Sequence, residues 1–220
     1  RFKEVVDILS LNVSGIVLRS GTAVDSAEHR LVGGAVLNGS TDDVFVSIKL
    51  VLADLNEIKR LKIATQQLAT LLVVDASTIT DQNGRAVVPN GIPRVVTAYT
   101  ADTTPPVLLK SKLSLQDEEL TLYFSETVSV ASLKITELEL VSALLGVATR
   151  YKLTAVSTKG VLDGTELVVT LGTEDLNLIK QDAGLATGLS NSVIEFTANT
   201  VQDMALVGNE IANAKQWIDE

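Results

Sequence analysis

The sequence predicts an all-β protein made of two tandem β-sandwiches, each crossed by one short helix. Three observations lead there: one block of sequence occurs twice at a nearly constant spacing, short alternating segments fill most of the chain, and each copy holds a single helical patch.

The duplication is visible in Asp-Leu-Asn-x-Ile-Lys, which stands at Asp54–Lys59 and again at Asp175–Lys180, 121 residues later. Upstream, Phe2, Glu4, Val6, Ser10, Leu11, Leu18 and Ser20 are answered by Phe124, Glu126, Val128, Ser132, Leu133, Leu140 and Ser142, 122 residues on. Downstream, Ala64, Thr65, Ala76, Thr78 and Asp81 meet Ala186, Thr187, Ala198, Thr200 and Asp203 at that same spacing. A small loop insertion accounts for the one-residue slip at the central block. Recurrence at a long fixed period marks a repeat architecture. The 220 residues therefore divide into two domains of ordinary size, 1–102 and 103–220. Between them, Asp102-Thr-Thr-Pro-Pro106 reads as a stiff extended connector, because each proline fixes φ and restricts the residue before it.

Most segments read as strands. In chain order they are VFVSIKLVL from Val44, LLVVDAST from Leu71, VLLKSKLSL from Val107, ELTLYF from Glu119, LKITELEL from Leu133, YKLTAVST from Tyr151, TELVVTL from Thr165 and VIEFTA from Val193. ELTLYF alternates strictly, placing Leu120, Leu122 and Phe124 on one face. In VLLKSKLSL the same reasoning puts Val107, Leu109, Leu113 and Leu115 inward. LDGT, GSTDD and DQNG punctuate these runs as turns. Many short strands at this spacing predict two antiparallel sheets per copy. TEDLNLIK breaks the pattern: Leu176 and Ile179 follow helical spacing, Thr173 is placed as an N-cap, and Glu174 and Asp175 suit a helix N-terminus. Gly184 is expected to end the turn.

The two copies are unequal at their starts. Two strands, Val107–Leu115 and Leu120–Phe124, precede the Ser-Glu-Thr-Val stretch of the second, whereas the first opens at its matching phenylalanine, Phe2. Those strands carry six apolar residues read as inward, each worth ~1.5–3 kcal/mol when buried. Whole domains are stable by only ~5–15 kcal/mol. The first copy is thus expected to be completed by residues preceding Arg1 or by strands from a neighbouring molecule. The tail ANAKQWIDE reads as a last strand, with Trp217 expected in the core.

Composition narrows the function. Net charge is −9, which argues against nucleic acid and anionic membrane surfaces as partners, and no apolar run is long enough to span a bilayer. Cysteine is absent, which removes disulfides, thiolate-zinc sites and thiol catalysis. The lone histidine, His29, lies near Asp25 and Ser26, but three neighbours on one loop do not make a catalytic triad, and no catalytic residue or cofactor is expected. Calcium is the one ion considered, with Asp81, Asn83, Asp102 and Asp203 as oxygen donors. Asp81-Gln-Asn-Gly84 begins like a calcium loop but lacks the closing glutamate, and a plain Asn-Gly turn reads better. Asn12-Val-Ser and Asn38-Gly-Ser are N-glycosylation sequons, the first placed in a strand and the second in a loop.

The stretch DTTPPVLLKSKLSLQDEELTLYFSETV resembles the opening of tandem immunoglobulin-like repeats in very large surface proteins, which begin Asp-x-x-Pro-Pro, continue into an alternating strand pair and reach Phe-Ser-Glu. DLNLIK, GLAT, Val201-Gln-Asp-Met204 and Gly208-Asn209 resemble further landmarks of such repeats. The resemblance covers nearly all of the second copy and most of the first, which departs at Gln82-Asn-Gly84 where the second has MALVGN. It implies immunoglobulin-like sandwiches in an extracellular filament, appendage or cell-surface stalk, with self-association or neighbouring repeats as partners. A rival expectation is an adhesin module that binds a glycan or protein receptor.

Overall fold

The computed structural model describes residues 1–37, 42–143 and 146–219. The chain divides into two units, Arg1–Asp102 and Thr103–Glu220. Both are β-rich, with antiparallel sheets and, among the described residues, one α-helix each.

Unit 1 contains β1 (Val6–Asp7), β2 (Ile16–Arg19), β3 (Glu28–Arg30), β4 (Gly34–Val36), β5 (Ile48–Leu50), α1 (Leu52–Arg60), β6 (Leu71–Val74), β7 (Thr80–Asp81) and β8 (Arg94–Val95). Unit 2 contains β9 (Leu108–Ser114), β10 (Glu119–Val128), β11 (Leu138–Val141), β12 (Arg150–Lys152), β13 (Thr158–Lys159), β14 (Gly164–Thr170), α2 (Thr173–Gln181), β15 (Val193–Phe196) and β16 (Ala214–Trp217).

In unit 2 one four-stranded sheet runs β13-β14-β10-β9 and the other β12-β11-β15-β16. Leu120, Leu122, Leu167 and Val169 from the first sheet share one core with Leu138, Leu140, Ile194 and Phe196 from the second, and Leu176 and Ile179 of α2 join it. The period-two pattern of ELTLYF is realised directly: its even positions are buried. β9 departs from the expected alternation. Leu108 and Ser111 face inward, whereas Val107 and Leu109 are exposed. A bulge is the cause, since Tyr123 pairs Lys110 but Phe124 pairs Leu108, leaving Leu109 as the extra residue.

Two further expectations need correction. Gly172, not Thr173, caps α2, and the helix ends at Gln181, before Gly184. Glycine is required at 172 because a Cβ there would lie 2.5 Å from the Val156 carbonyl oxygen. At the C-terminus, Ile218 is buried and Trp217 is 41% exposed, because residues adjacent along an extended segment face opposite ways.

The ladders of unit 1 repeat those of unit 2 residue for residue. Val17↔Arg30 and Leu18↔His29 in β2–β3 match Glu139↔Lys152 and Leu140↔Tyr151 in β11–β12. Ile16↔Val74 matches Leu138↔Phe196, and Leu72↔Arg94 matches Ile194↔Gln216. The Val6↔Asp81 pair likewise matches Val128↔Asp203. The one-residue slip begins before β5, since the Val6↔Asp43 bridge answers Val128↔Gly164. The slip therefore spans β5 and α1 and is recovered afterwards.

One sheet breaks the equivalence. β14 has β13 on one side and β10 on the other, whereas β5 has β4 as its one strand neighbour among the described residues. The core of unit 1 is correspondingly small, built on Leu31, Ile58 and Ile63 with half-buried residues such as Leu18 and Leu50 around them. Val46, Ile48 and Leu50 stay partly exposed, although their counterparts Leu167, Val169 and Leu171 are buried.

Candidate functional site

Each unit carries a fully buried aspartate in the first turn of its helix, Asp54 in α1 and Asp175 in α2. The sequence pattern suits Asp175 to the helix dipole. The main role of both aspartates is different: each carboxylate ties the helix to the strand and loop beside it.

Asp175 Oδ1 accepts from the Tyr151 hydroxyl at 2.7 Å, while Oδ2 accepts from the Thr154 amide at 3.1 Å and the Ser157 hydroxyl at 2.5 Å. Ser157 in turn accepts from the Gly172 amide at 2.9 Å, so the helix cap belongs to the same network. Burial opposes the charge on Asp175, but the hydrogen bonds from Ser157, Tyr151 and Thr154 outweigh it and hold the carboxyl below the ordinary aspartate range. Burial, followed by the bond to Asp175, pushes the Tyr151 hydroxyl up to about 12.

In unit 1 the corresponding strand position holds His29, whose Nε2 lies 2.7 Å from Asp54 Oδ1. The amides of Val32 and Gly33 donate to the same carboxylate at 2.9 and 3.2 Å. His29 lies in β3 and pairs with Asp54, not with Asp25 or Ser26 of the preceding loop. A carboxylate enclosed by donors in this way can fix a loop against a helix.

Asp81, Asp102 and Asp203 each meet donors of the protein itself. Asp81 Oδ1 accepts from the amides of Asn83 and Arg85, both at 2.8 Å, and closes the turn completed by Gly84 at φ +78°. Asn83 contributes its backbone to that turn. Asp102 pairs with Lys59 at 2.6 Å within unit 1. Asp203 Oδ1 accepts from the amides of Ala205 and Asn209, and Oδ2 from the Asn209 side chain. Sequence reasoning missed Glu126, which is buried in unit 2 with a carboxylate oxygen within 4.8 Å of one from Asp203. Its place in the alternation of β10 was the available signal.

Asn12 caps a 3₁₀ turn over Val13–Gly15 and is not in a strand, because its Oδ1 accepts from the Ser14 amide at 3.2 Å and the Ser14 hydroxyl at 2.7 Å. Such local side-chain bonds divert the backbone from a ladder. Asn12 and Ser14 are both exposed. Asn38 lies outside the described residues. Among the described residues, no helix is long and apolar enough to cross a membrane.

Comparison of the chain with protein-family models, with curated proteins and with solved structures finds no match.

Proposed function

We propose that the chain is a non-enzymatic structural segment of an extracellular filament, appendage or cell-surface stalk, built from immunoglobulin-like sandwiches that associate end to end or through strands. The duplication carries this reading. Two units keep the same ladders and the same buried aspartate anchor while the residues presented on that frame change, as with Asn12 against Lys134. Conservation of a frame without conservation of its surface suits a unit that contributes length. The common core of the two sheets in unit 2 supports the sandwich assignment.

The test is immunogold labelling of intact source cells with an antibody raised against residues 103–220, alongside surface biotinylation. The expected result is label on an external filament or coat and biotin on the protein. Label confined to the cell interior, with no biotin incorporated, overturns the reading.

A further inference from the structure

Two Asn-Gly pairs lie among the described residues, Asn83-Gly84 and Asn90-Gly91, both in unit 1; a third, at Asn38, lies outside them, and unit 2 contains none. Such a pair is chemically labile, because glycine has no Cβ to screen its amide nitrogen from the carboxamide before it. The fold treats the two described pairs oppositely. Asn90 Oδ1 accepts from the Val74 amide at 2.6 Å, while its Nδ2 donates to the carbonyls of Leu72 at 2.8 Å and Ile92 at 3.3 Å. That carboxamide stands in for a strand peptide beside β6, so its carbon is held away from the Gly91 nitrogen. Asn83 and Gly84 are both exposed, and the Asn83 carboxamide has no hydrogen-bond partner among the described residues. The Gly84 amide donates to the Asp81 carbonyl at 3.0 Å, a bond inside one surface turn. Local opening of that turn frees the nitrogen without unfolding the unit.

We propose that Asn83 is a site of spontaneous deamidation, and that its modification loosens the hairpin of residues 79–87. The Gly84 nitrogen gives its proton to solvent base and attacks Asn83 Cγ; the carboxamide C–N bond breaks, ammonia leaves, and a cyclic succinimide closes. Water then opens the ring at either carbonyl. Attack at Cγ restores the chain with aspartate, whereas attack at the main-chain carbonyl leaves isoaspartate, whose chain runs through the side-chain carbon. Isoaspartate adds a methylene to the turn and sets a second carboxylate beside that of Asp81, which accepts from the amide of residue 83. The turn is closed by the Asp81 amide on the Arg85 carbonyl and the Arg85 amide on Asp81 Oδ1, both at 2.8 Å. Beyond it, the Val87 amide donates to the Ile79 carbonyl at 2.9 Å. A longer turn takes these partners out of register.

The test is to age the intact 220-residue protein in mildly alkaline buffer, folded and in urea, and to follow both sites by peptide mapping that separates aspartate from isoaspartate. In the folded protein, isoaspartate is expected at position 83 at least tenfold faster than at position 90. In urea, where the Asn90 clamp is gone, the two sites should react at similar rates. Equal rates at the two sites in the folded protein overturn the proposal, as does a folded Asn83 that stays intact while the unfolded one converts. Amide exchange tests the second half. Aged protein is expected to lose protection at Arg85 and Val87, and Asn83→Gln, aged alongside, to keep it. Unchanged protection at both amides in isoaspartate-containing protein, or equal loss in Asn83→Gln, overturns the loosening. None of these outcomes depends on where the chain resides, so the cell-surface labelling stands or falls separately.

Discussion

The Tyr151 hydroxyl donates to Asp175 Oδ1 at 2.7 Å, joining strand β12 to the buried first turn of α2. The repeat of this connection in unit 1, with His29 in place of tyrosine, shows that the aspartate is the constant element and its side-chain partner the variable one.

Asp175→Ala is expected to unfold unit 2 at lower urea concentration. The Thr154 amide and the Ser157 and Tyr151 hydroxyls lose their acceptor together, and a single orphaned buried group costs ~1–3 kcal/mol. The loss should reach or exceed that range. Asp175→Asn, which keeps an acceptor, should cost less. Equal midpoints for wild type and Asp175→Ala would refute the anchor role.

The same network fixes a pH window for unit 2. Asp175 holds its carboxyl below the ordinary value of 3.8, so its contribution is present above that value and is lost as pH falls through the folded-state value. Tyr151 is shifted the other way, from 10.0 to about 12, so its contribution is full below pH 10 and disappears as pH rises toward 12. Melting curves should therefore show Tyr151→Phe flattening the alkaline decline and, because the lost hydroxyl also helps to lower Asp175, shrinking the acid limb without abolishing it. An unchanged alkaline limb in that variant would contradict the assignment.

His29→Ala is expected to destabilise unit 1 by roughly 1–3 kcal/mol, through the lost partner of a buried carboxylate. Unit 2 should retain its own transition. Exchange measurements separate the effects, with faster exchange at Val32 and Gly33 and no change at Thr154. Equal loss of protection in both units would show that the anchor is not local.

Gly172→Ala places a methyl group 2.5 Å from the Val156 carbonyl oxygen, which is backbone and cannot rotate away. Overpacking of this kind costs ~1–3 kcal/mol. Gly188→Ala meets nothing within 4 Å and serves as the control. Denaturant midpoints should fall for the first and stay within error for the second.

Much of this was legible in the sequence, for a physical reason. Strand parity and helical spacing are local patterns, so Leu120, Leu122 and Phe124 could be assigned to one face, and Leu176 and Ile179 to the core. The bulge at Leu109 was not legible, because it arises from pairing with β10 and not from the order of residues in β9. The burial of Asp54 and Asp175 was not legible for a similar reason. Their donors include backbone amides of Val32, Gly33 and Thr154, and every residue type other than proline offers the same amide, so no side-chain pattern marks them. Their recurrence was visible, but the burial that explains it was not. For the proposed oxygen donors and for Asn12, the sequence supplied residue types but not the turns that engage their side chains.

The one-residue slip that opens before β5 and closes after α1 has a genetic consequence. The two Asp-Leu-Asn-coding stretches lie 121 codons apart and encode the same turn of helix at the same depth in each core. Unequal recombination between them adds or removes 121 residues, one whole folding unit, and joins the front of one copy to the back of the other at a shared anchor. The gene can thus change the number of units without shifting a strand out of phase with its partners.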